Sequence, residues 1–564
     1  MTISRLVKGV GLALALASQQ ALAIYPANLH PFSRTRTPGL HERRAEIDAL
    51  EKNQRPAHNL SVPIDHFHNE TKYEPHSDDF FNLRYWVDDT YYKPGGPVIL
   101  IGSGELTGVA RLPYLEQGIG KILSEATGGL TVLLEHRYYG TSYPVPDLST
   151  HNLRFLTTEQ ALADTAYFVR NVKYPGLEHV NLTSHTTPYI FYGGSYAGAF
   201  AALARKIYPD DFWGAISGSG VPLVIDDYWE YLEAVRIYGD QDCVQASQLI
   251  TSIIDNVLLG DSPEAAHDLK QFFDLVDLGD KDFAFFVNSG PMGLQETHWD
   301  PDLDGPGLAR YCQAVTADRP LYSSTRTLTN DVKDLLAVAG FKEQADEIVP
   351  LILNWIGHTR ATFKEELSSC DQGWAKCLLK STSVEDISIP QGLERAWAYQ
   401  TCTQWGYFVT GTGVPKDQSP LVSRLIDYEY GSKVCPEGFG IPTAPDVESI
   451  NRYGGANFSH SRVAFIDGEH DPWRQAGVHR IGVNQHRAST DSEPFILLEG
   501  GVHHWDQYGP KPNATGSWLP PKAVVEAQQE EIRFVKVWLR EFAEDKASKE
   551  SLVSGSIDVT GLEL

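Results

Sequence analysis

Short, wholly apolar runs recur along this chain, separated by stretches whose apolar residues repeat at helical intervals. Val98-Ile99-Leu100-Ile101, Leu130-Thr131-Val132-Leu133-Leu134, Tyr189-Ile190-Phe191-Tyr192 and Gly214-Ala215-Ile216-Ser217 are four such runs. A strand that is apolar at nearly every position is covered on both faces, the condition of a central strand in a parallel sheet. Between them, Thr158 to Arg170 and the alanine-rich stretch from Ala197 to Ile207 have helical spacing. Alternating strand and helix predicts βαβ units around a mostly parallel sheet. Phe81 to Val87 adds a partly alternating strand before the Pro94-Gly95-Gly96-Pro97 turn.

From about residue 221 to 395 the rhythm changes. Helical patterns over Tyr228 to Tyr238, Cys243 to Leu258, Val332 to Val338 and Ile348 to Thr362 follow one another without comparable strands. This stretch reads as a mainly helical insertion, placed to cap the rest. Strand signals return at Val463-Ala464-Phe465-Ile466 and Pro494-Phe495-Ile496-Leu497-Leu498. A closing amphipathic helix from about Val525 to Phe542 sets Ile532, Val535, Trp538, Leu539 and Phe542 on one face. The α/β domain is thus expected in two parts, 59–220 and 396–546, split by the insertion at 221–395, with a disordered tail at 547–564.

The N-terminus carries an address. Arg5 and Lys8 precede an apolar run from Val10 to Ala17, and Ala21-Leu22-Ala23 offers a cleavage site, which together read as a signal peptide over 1–23. Residues 24–58 are polar and aperiodic, an arm or propeptide. No later run reaches the roughly 18 apolar residues of a spanning helix. A secreted chain is expected, with a lysosome- or vacuole-like compartment as the alternative. Sequons at Asn59, Asn69, Asn181, Asn457 and Asn513 agree with export as glycosylation sites. So does the even set of Cys243, Cys312, Cys370, Cys377, Cys402 and Cys435, for which an oxidising compartment predicts disulfides. A net charge of −26 over 564 residues argues against nucleic acid or an anionic membrane as partner. Peptide or protein substrates are the expected partners, a homodimer is left open, and no cofactor or metal is expected.

Chemistry gathers at three places. Tyr192-Gly193-Gly194-Ser195-Tyr196-Ala197-Gly198 lies between a buried strand and a helix, where a serine sits on a sharp nucleophile elbow. Gly193 meets the Gly-x-Ser-x-Gly pattern, and Ala197 takes the second glycine position. A serine needs a base and the base an orienting carboxylate, in the order Ser, Asp, His on loops after late strands for an α/β-hydrolase fold. The loop after Ile466 offers Asp467, Glu469 and Asp471, and the loop after Leu498 offers the adjacent His503 and His504. The oxyanion hole is expected from the backbone of Tyr196 and of the loop near Gly104. Glu105 on that loop is a candidate for binding a substrate amino terminus, with a buried structural hydrogen bond as the other reading.

These residues resemble the family that includes Pro-X carboxypeptidase, dipeptidyl-peptidase II and thymus-specific serine protease. The likeness is carried by Ile64-Asp65-His66-Phe67, Arg84-Tyr85-Trp86, Gly95-Gly96-Pro97, Glu159-Gln160-Ala161-Leu162-Ala163-Asp164 and Gly193-Gly194-Ser195-Tyr196. Asp471-Pro472-Trp473, His503-His504 and, most specifically, Glu135-His136-Arg137-Tyr138-Tyr139-Gly140 complete it. The resemblance spans roughly residues 60 to 545 and is weak through the insertion. It implies a catalytic triad of Ser195, Asp471 and His504, the last because the family's histidine falls three positions after a glycine, here Gly501. It also implies a helical cap, a disulfide between Cys402 and Cys435, and cleavage after proline, with Trp473 as a wall of the proline pocket or as a core residue beneath the acid loop. Gln404 stands where many members have glutamate, which would alter recognition of a charged substrate end. The expected activity is a secreted serine peptidase acting after proline through an acyl-enzyme. A serine carboxypeptidase or esterase of the same fold without proline preference is the alternative.

Overall fold

A computed structural model describes residues 56–368, 370–389, 393–484, 486–511 and 513–555. The expected signal peptide, nearly all of the N-terminal arm and residues 556–564 of the tail lie outside them. The main sheet has eight strands: β1 (His58–Pro63), β2 (Phe80–Asp88), β3 (Val98–Gly102), β4 (Leu130–Leu134), β5 (Tyr189–Gly194), β6 (Gly214–Gly218), β9 (Val463–Gly468) and β10 (Phe495–Leu498). Two short strands outside it, β7 (Ile225–Asp227) and β8 (Gly406–Phe408), pair with each other in parallel. The main order is β1-β2-β4-β3-β5-β6-β9-β10. β1 and β2 run antiparallel to their neighbours, and every pairing from β4 to β10 is parallel. This is the α/β-hydrolase fold, as the strand–helix rhythm predicts.

The apolar runs are explained by what lies on each side. Val98, Leu100, Val132, Tyr189, Phe191, Ala215, Val463 and Phe465 point into one core, and the intervening Ile99, Ile101, Leu133, Ile190, Tyr192, Ile216, Ala464 and Ile466 into the other. The second core is closed by the C-terminal helix, Lys522–Gly555, through Phe534, Val535 and Trp538. That helix is longer than its amphipathic signal and carries regular structure into the segment expected as tail. Its seat depends on Gly214, where a Cβ would stand 2.5 Å from the Trp538 ring.

The insertion leaves the α/β body at β7 and returns at β8, so these paired strands form its neck. Helices Gln241–Leu258, Thr329–Val338 and Ala345–Glu366 stand where periodicity places them. Shorter helices at Pro263–Gln271, Asp280–Val287 and Gly307–Val315 were hidden by their brevity. All six cysteines are bonded, Cys243 to Cys312, Cys370 to Cys377 and Cys402 to Cys435, the last as the resemblance implies. No helix among the described residues is long and apolar enough to cross a membrane.

The Glu135-to-Gly140 block has a structural purpose. Glu135, 2% exposed, accepts hydrogen bonds from Arg84 (Nε 3.0 Å, Nη2 2.7 Å), the Gly108 and Thr141 amides (2.8 and 3.0 Å) and Ser142 Oγ (2.8 Å). One buried carboxylate thereby ties β2, the end of β4 and the segment after β3 together. Gly140 (φ 61°) must be glycine, because a Cβ there would fall 1.9 Å from Glu135 Oε1. Arg137 does the same work deeper in, paired with Asp164 at 2.6 Å and donating to the Ile64 and Phe155 carbonyls. Removing one partner of such a pair strips a buried charge of its counterion, which costs about 3–5 kcal/mol. Glu135→Ala is therefore expected to lower unfolding free energy by about that amount in urea titrations followed by tryptophan fluorescence, whereas a loss under 1 kcal/mol (roughly a surface pair's worth) would contradict the assignment.

Candidate active site

The strand β5 ends at Gly194, and Tyr196–Ile207 begins a helix directly after Ser195. To make that turn Ser195 takes φ 61° and ψ −127°, a conformation L-residues avoid unless the surroundings enforce it. The enforcing contacts are close ones. A Cβ on Gly193 would lie 1.9 Å from the Ala197 carbonyl oxygen, and one on Gly198 would lie 3.0 Å from Gly193 O and Gly220 Cα. Ser195 N–H donates to Gly218 O of β6 at 2.8 Å, locking the turn to the neighbouring strand. Ala197 is tolerated in place of glycine because its methyl points toward the loop after β3. There it packs 3.3 Å from where a Cβ on Gly104 would be, so Gly104 (φ 68°) is the residue that has to stay bare.

The loops after β9 and β10 meet this elbow. Asp471 caps the short turn Pro472–Ala476 by accepting from the Trp473 amide at 2.9 Å. It also accepts from His503 Nδ1, at 2.8 Å to Oδ2 and 3.0 Å to Oδ1. With that N–H donated to the carboxylate, His503 Nε2 is the acceptor for the Ser195 hydroxyl, 2.8 Å away. Ser195, His503 and Asp471 are 2%, 3% and 1% exposed, so the chain of hydrogen bonds lies out of bulk water.

The histidine expected from the resemblance, His504, does not take this place. Its backbone sits in the left-handed region (φ 38°, ψ 48°), and its N–H donates to Ser219 Oγ at 2.8 Å. That twist leaves the two adjacent rings tilted by 49° with centroids 4.4 Å apart, and it is the His503 ring whose Nε2 reaches Ser195. The His504 ring lies against the elbow, 3.4 Å from where a Gly194 Cβ would be, and stacks over Tyr508. Its Nδ1 is buried without a partner, and burial, with His503, Arg111 and His298 nearby, holds its pKa well below the ordinary imidazole value. The ring thus packs beneath the elbow, and the imidazole within hydrogen-bond reach of Ser195 Oγ is that of His503.

Three other expectations change. Trp473 is 2% exposed and belongs to the core. It stacks on Tyr228 (5.4 Å between centroids), meets Tyr231 and Tyr407 edge-on, and donates from Nε1 to Gln295 Oε1 at 2.7 Å. It therefore joins the acid loop to the insertion and offers no open wall to a substrate. Glu105 is also interior, at 5% exposure, and neither carboxylate oxygen has a hydrogen-bond partner. Burial raises its pKa to about 7, opposed by Arg111, its own amide and His503, so it is neither an ion at an open mouth nor a satisfied structural group. Gln404 faces inward: Oε1 accepts from the Thr158 amide at 2.8 Å, and Nε2 donates to Glu159 and Ser449. A glutamate there would face Glu159, so the amide suits its site sterically and electrostatically and does not address a substrate end.

The oxyanion candidates lie side by side. Tyr196 N–H opens the helix, and a first-turn amide has no carbonyl to bond within its own helix. The space over Gly104 abuts Tyr196 Cδ1 and Ala197 N, at 3.9 and 3.8 Å. The Tyr196 side chain turns away, its hydroxyl bonded to His136 and Gln400 at 3.0 Å each.

Against this geometry the comparisons are specific. The family described as serine carboxypeptidase S28 matches residues 62–286 and 342–524. The chain is 44% identical over 534 residues to a probable extracellular serine carboxypeptidase of Arthroderma benhamiae, covering 94% of this chain and 74% of that one. It is 26% identical to the human thymus-specific serine protease, covering 85% of each chain. It is likewise 26% identical to the human lysosomal Pro-X carboxypeptidase, covering 83% of this chain and 86% of that one. The chain belongs to the serine carboxypeptidase S28 family and is a serine-type peptidase.

Two predictions come from the site. His503→Ala is expected to lower kcat by about 10⁴-fold or more, while His504→Asn, which tolerates a left-handed backbone, keeps activity within about tenfold. Steady-state kinetics giving the reverse order would overturn the geometric assignment. The second concerns pH. Behind the His503 loop, Asp506 accepts from Tyr192 OH at 2.5 Å, and Glu531 of the C-terminal helix is fully buried with both oxygens unpartnered. Burial raises Asp506 to about 7 and Glu531 well above the ordinary carboxyl value. The folded chain then keeps protons that the unfolded chain releases near pH 4. Where the native state binds more protons, unfolding free energy falls as pH rises, so this stability is full in acid and lost from about pH 4 upward through about pH 7. Glu531→Gln is expected to melt with wild type in acid and several degrees above it near pH 8, in thermal melts across that range; parallel curves would refute it.

Proposed function

We propose that this protein is an exported serine carboxypeptidase in which Ser195 is the nucleophile, His503 the general base and Asp471 its orienting carboxylate. The observation that carries the reading is the continuous hydrogen-bonded chain from Asp471 through His503 to Ser195 Oγ. Ser195 Oγ attacks the scissile carbonyl carbon and His503 Nε2 takes its proton, while Asp471 stabilises the imidazolium through Nδ1–H. The new oxyanion is met by the backbone amides of Tyr196 and the Gly104 loop. His503 returns the proton to the departing amine, leaving an acyl-enzyme on Ser195. Water then attacks the ester with the same histidine as base, and the free carboxyl product leaves.

Export is supported by the N-terminal signal pattern, by three disulfides, and by the exposure of Asn59, Asn69, Asn181, Asn457 and Asn513. Action at a carboxyl terminus after proline is supported by the names of the Arthroderma and human relatives. The burial of Trp473 favours a second reading, the same carboxypeptidase without strong preference for proline, because the residue expected to grip the ring is enclosed.

The test is mass spectrometry of the products of one long peptide with internal and penultimate prolines, using wild type and Ser195→Ala at acid and neutral pH. Release of the residue after a penultimate proline by wild type alone is the expected outcome. Release irrespective of proline selects the second reading, internal cleavage refutes carboxypeptidase action, and equal activity in the variant removes Ser195 as nucleophile.

A further inference from the structure

The segment between β1 and β2 holds a cluster that the peptidase chemistry does not use. Asp65, His68 and His76 each bring one potential ligand atom to a common point, all within 4.8 Å of one another. Asp65 is buried and already aimed. Its Oδ1 accepts from the Phe67 amide at 2.9 Å and from Gln160 Nε2 at 2.7 Å, which leaves Oδ2 directed at His76 Nδ1, 2.6 Å away. The base of the segment is closed by the hydrogen bond from Ile64 N to Asp79 O at 3.0 Å.

We propose that Asp65, His68 and His76 form a site for a divalent transition-metal ion, zinc by the chemistry of its donors, that clips this segment to the α/β body.

An Asp65–His76 ion pair accounts for two of the three residues, and a long 3.9 Å approach to exposed Asp78 does not account for His68 facing the His76 ring. The His68 ring lies 5.3 Å from the His76 ring, tilted by 31°. Two imidazoles at that distance repel each other when protonated, whereas both are drawn to a shared cation when neutral. One carboxylate and two imidazoles are a borderline donor set suited to zinc, which takes nitrogen at about 2.0–2.1 Å and carboxylate oxygen at about 2.0–2.2 Å. The observed spread closes by rotation of His68, whose side chain is 49% exposed. The bonds from Gln160 and Phe67 to Asp65 Oδ1 act as outer-shell support that holds the carboxylate in orientation. Asp78, 3.9 Å from His68 Nδ1, or water would complete four-coordination. The cation that feels Asp65, Arg154, is turned to the Tyr73 and Pro75 carbonyls at 3.1 and 2.7 Å and makes no hydrogen bond to the carboxylate. Asp65 lies between Ile64, whose carbonyl accepts from Arg137, and His66, which bonds Asp164 at 2.8 Å, so a metal here fastens the surface loop to the buried ion-pair network.

The test uses the full chain stripped with a chelator, with zinc as titrant and cobalt(II) as spectroscopic probe. Wild type is expected to bind one zinc equivalent that the double variant His68→Ala/His76→Ala loses, with affinity lowered more than about tenfold. Cobalt is expected to give visible d–d bands in wild type alone, and zinc to slow proteolysis within 64–79 in wild type alone. His68 is exposed and His76 half-buried at the edge of the segment, and hydrolysis that depends on Ser195 reports that the double variant remains folded. No zinc binding by wild type, or equal affinity in the double variant, overturns the proposal; should the double variant fail to fold, His68→Gln alone is titrated and judged by the same two outcomes.

Discussion

Everything at the active centre depends on how closely β5 approaches the helix that follows it. Gly193 leaves no room for a Cβ against the Ala197 carbonyl, and Gly198 runs against the backbone of Gly193 and Gly220. Those contacts, with the Ser195 amide bonded to Gly218 O, hold Ser195 at φ 61°. The strain of such a residue, of order 1–3 kcal/mol, is offset by two cores packed on opposite faces of the sheet. The two histidine-loop residues are positioned against the same elbow, one bonded to Ser195 Oγ and the other packed beneath Gly194. A change at the elbow would therefore move Ser195, both histidines and the Gly104 loop together.

Buried charge organises the surroundings of that elbow. Glu135 and Arg137 are satisfied several times over, by guanidinium, amide and hydroxyl donors or by carboxylate and carbonyl acceptors. Such groups cost little once every bond is made, and they fix the loop after β3 in register with β2 and β4. Glu105, Asp506 and Glu531 are different. They lie in the interior with few partners or none, and burial raises each one. Each therefore holds its proton more tightly in the folded chain than in the unfolded one, which ties stability to pH through these three groups.

The insertion is more than a cover. Gln295 accepts from Trp473 on the acid loop and from Tyr231 near the neck, and Trp299 and Thr297 exchange hydrogen bonds with Trp505 beside the histidines. The insertion thus grips both the Asp471 loop and the histidine loop. Its aromatic contacts occupy the place where a proline-binding wall was expected.

Period and motif alone determined much of this. The wholly apolar runs marked the central strands because both sheet faces are covered, and the elbow was visible because strand, small residues and helix are contiguous in sequence. The order of the serine, acid and histidine loops was legible for the same reason. Only the tertiary structure decided what adjacency cannot express. His503 and His504 have the same side chain and neighbouring positions, and the left-handed twist at His504, held by Ser219 from the turn after β6, selects which one faces Ser195. The burial of Trp473, Glu105 and Gln404 depends on partners far along the chain. The edge strand β1 carried no apolar run, since its burial alternates along an antiparallel pairing. Local sequence specifies which residue types recur and at what interval, whereas the direction of a side chain and the solvent around it are set by contacts between segments hundreds of residues apart.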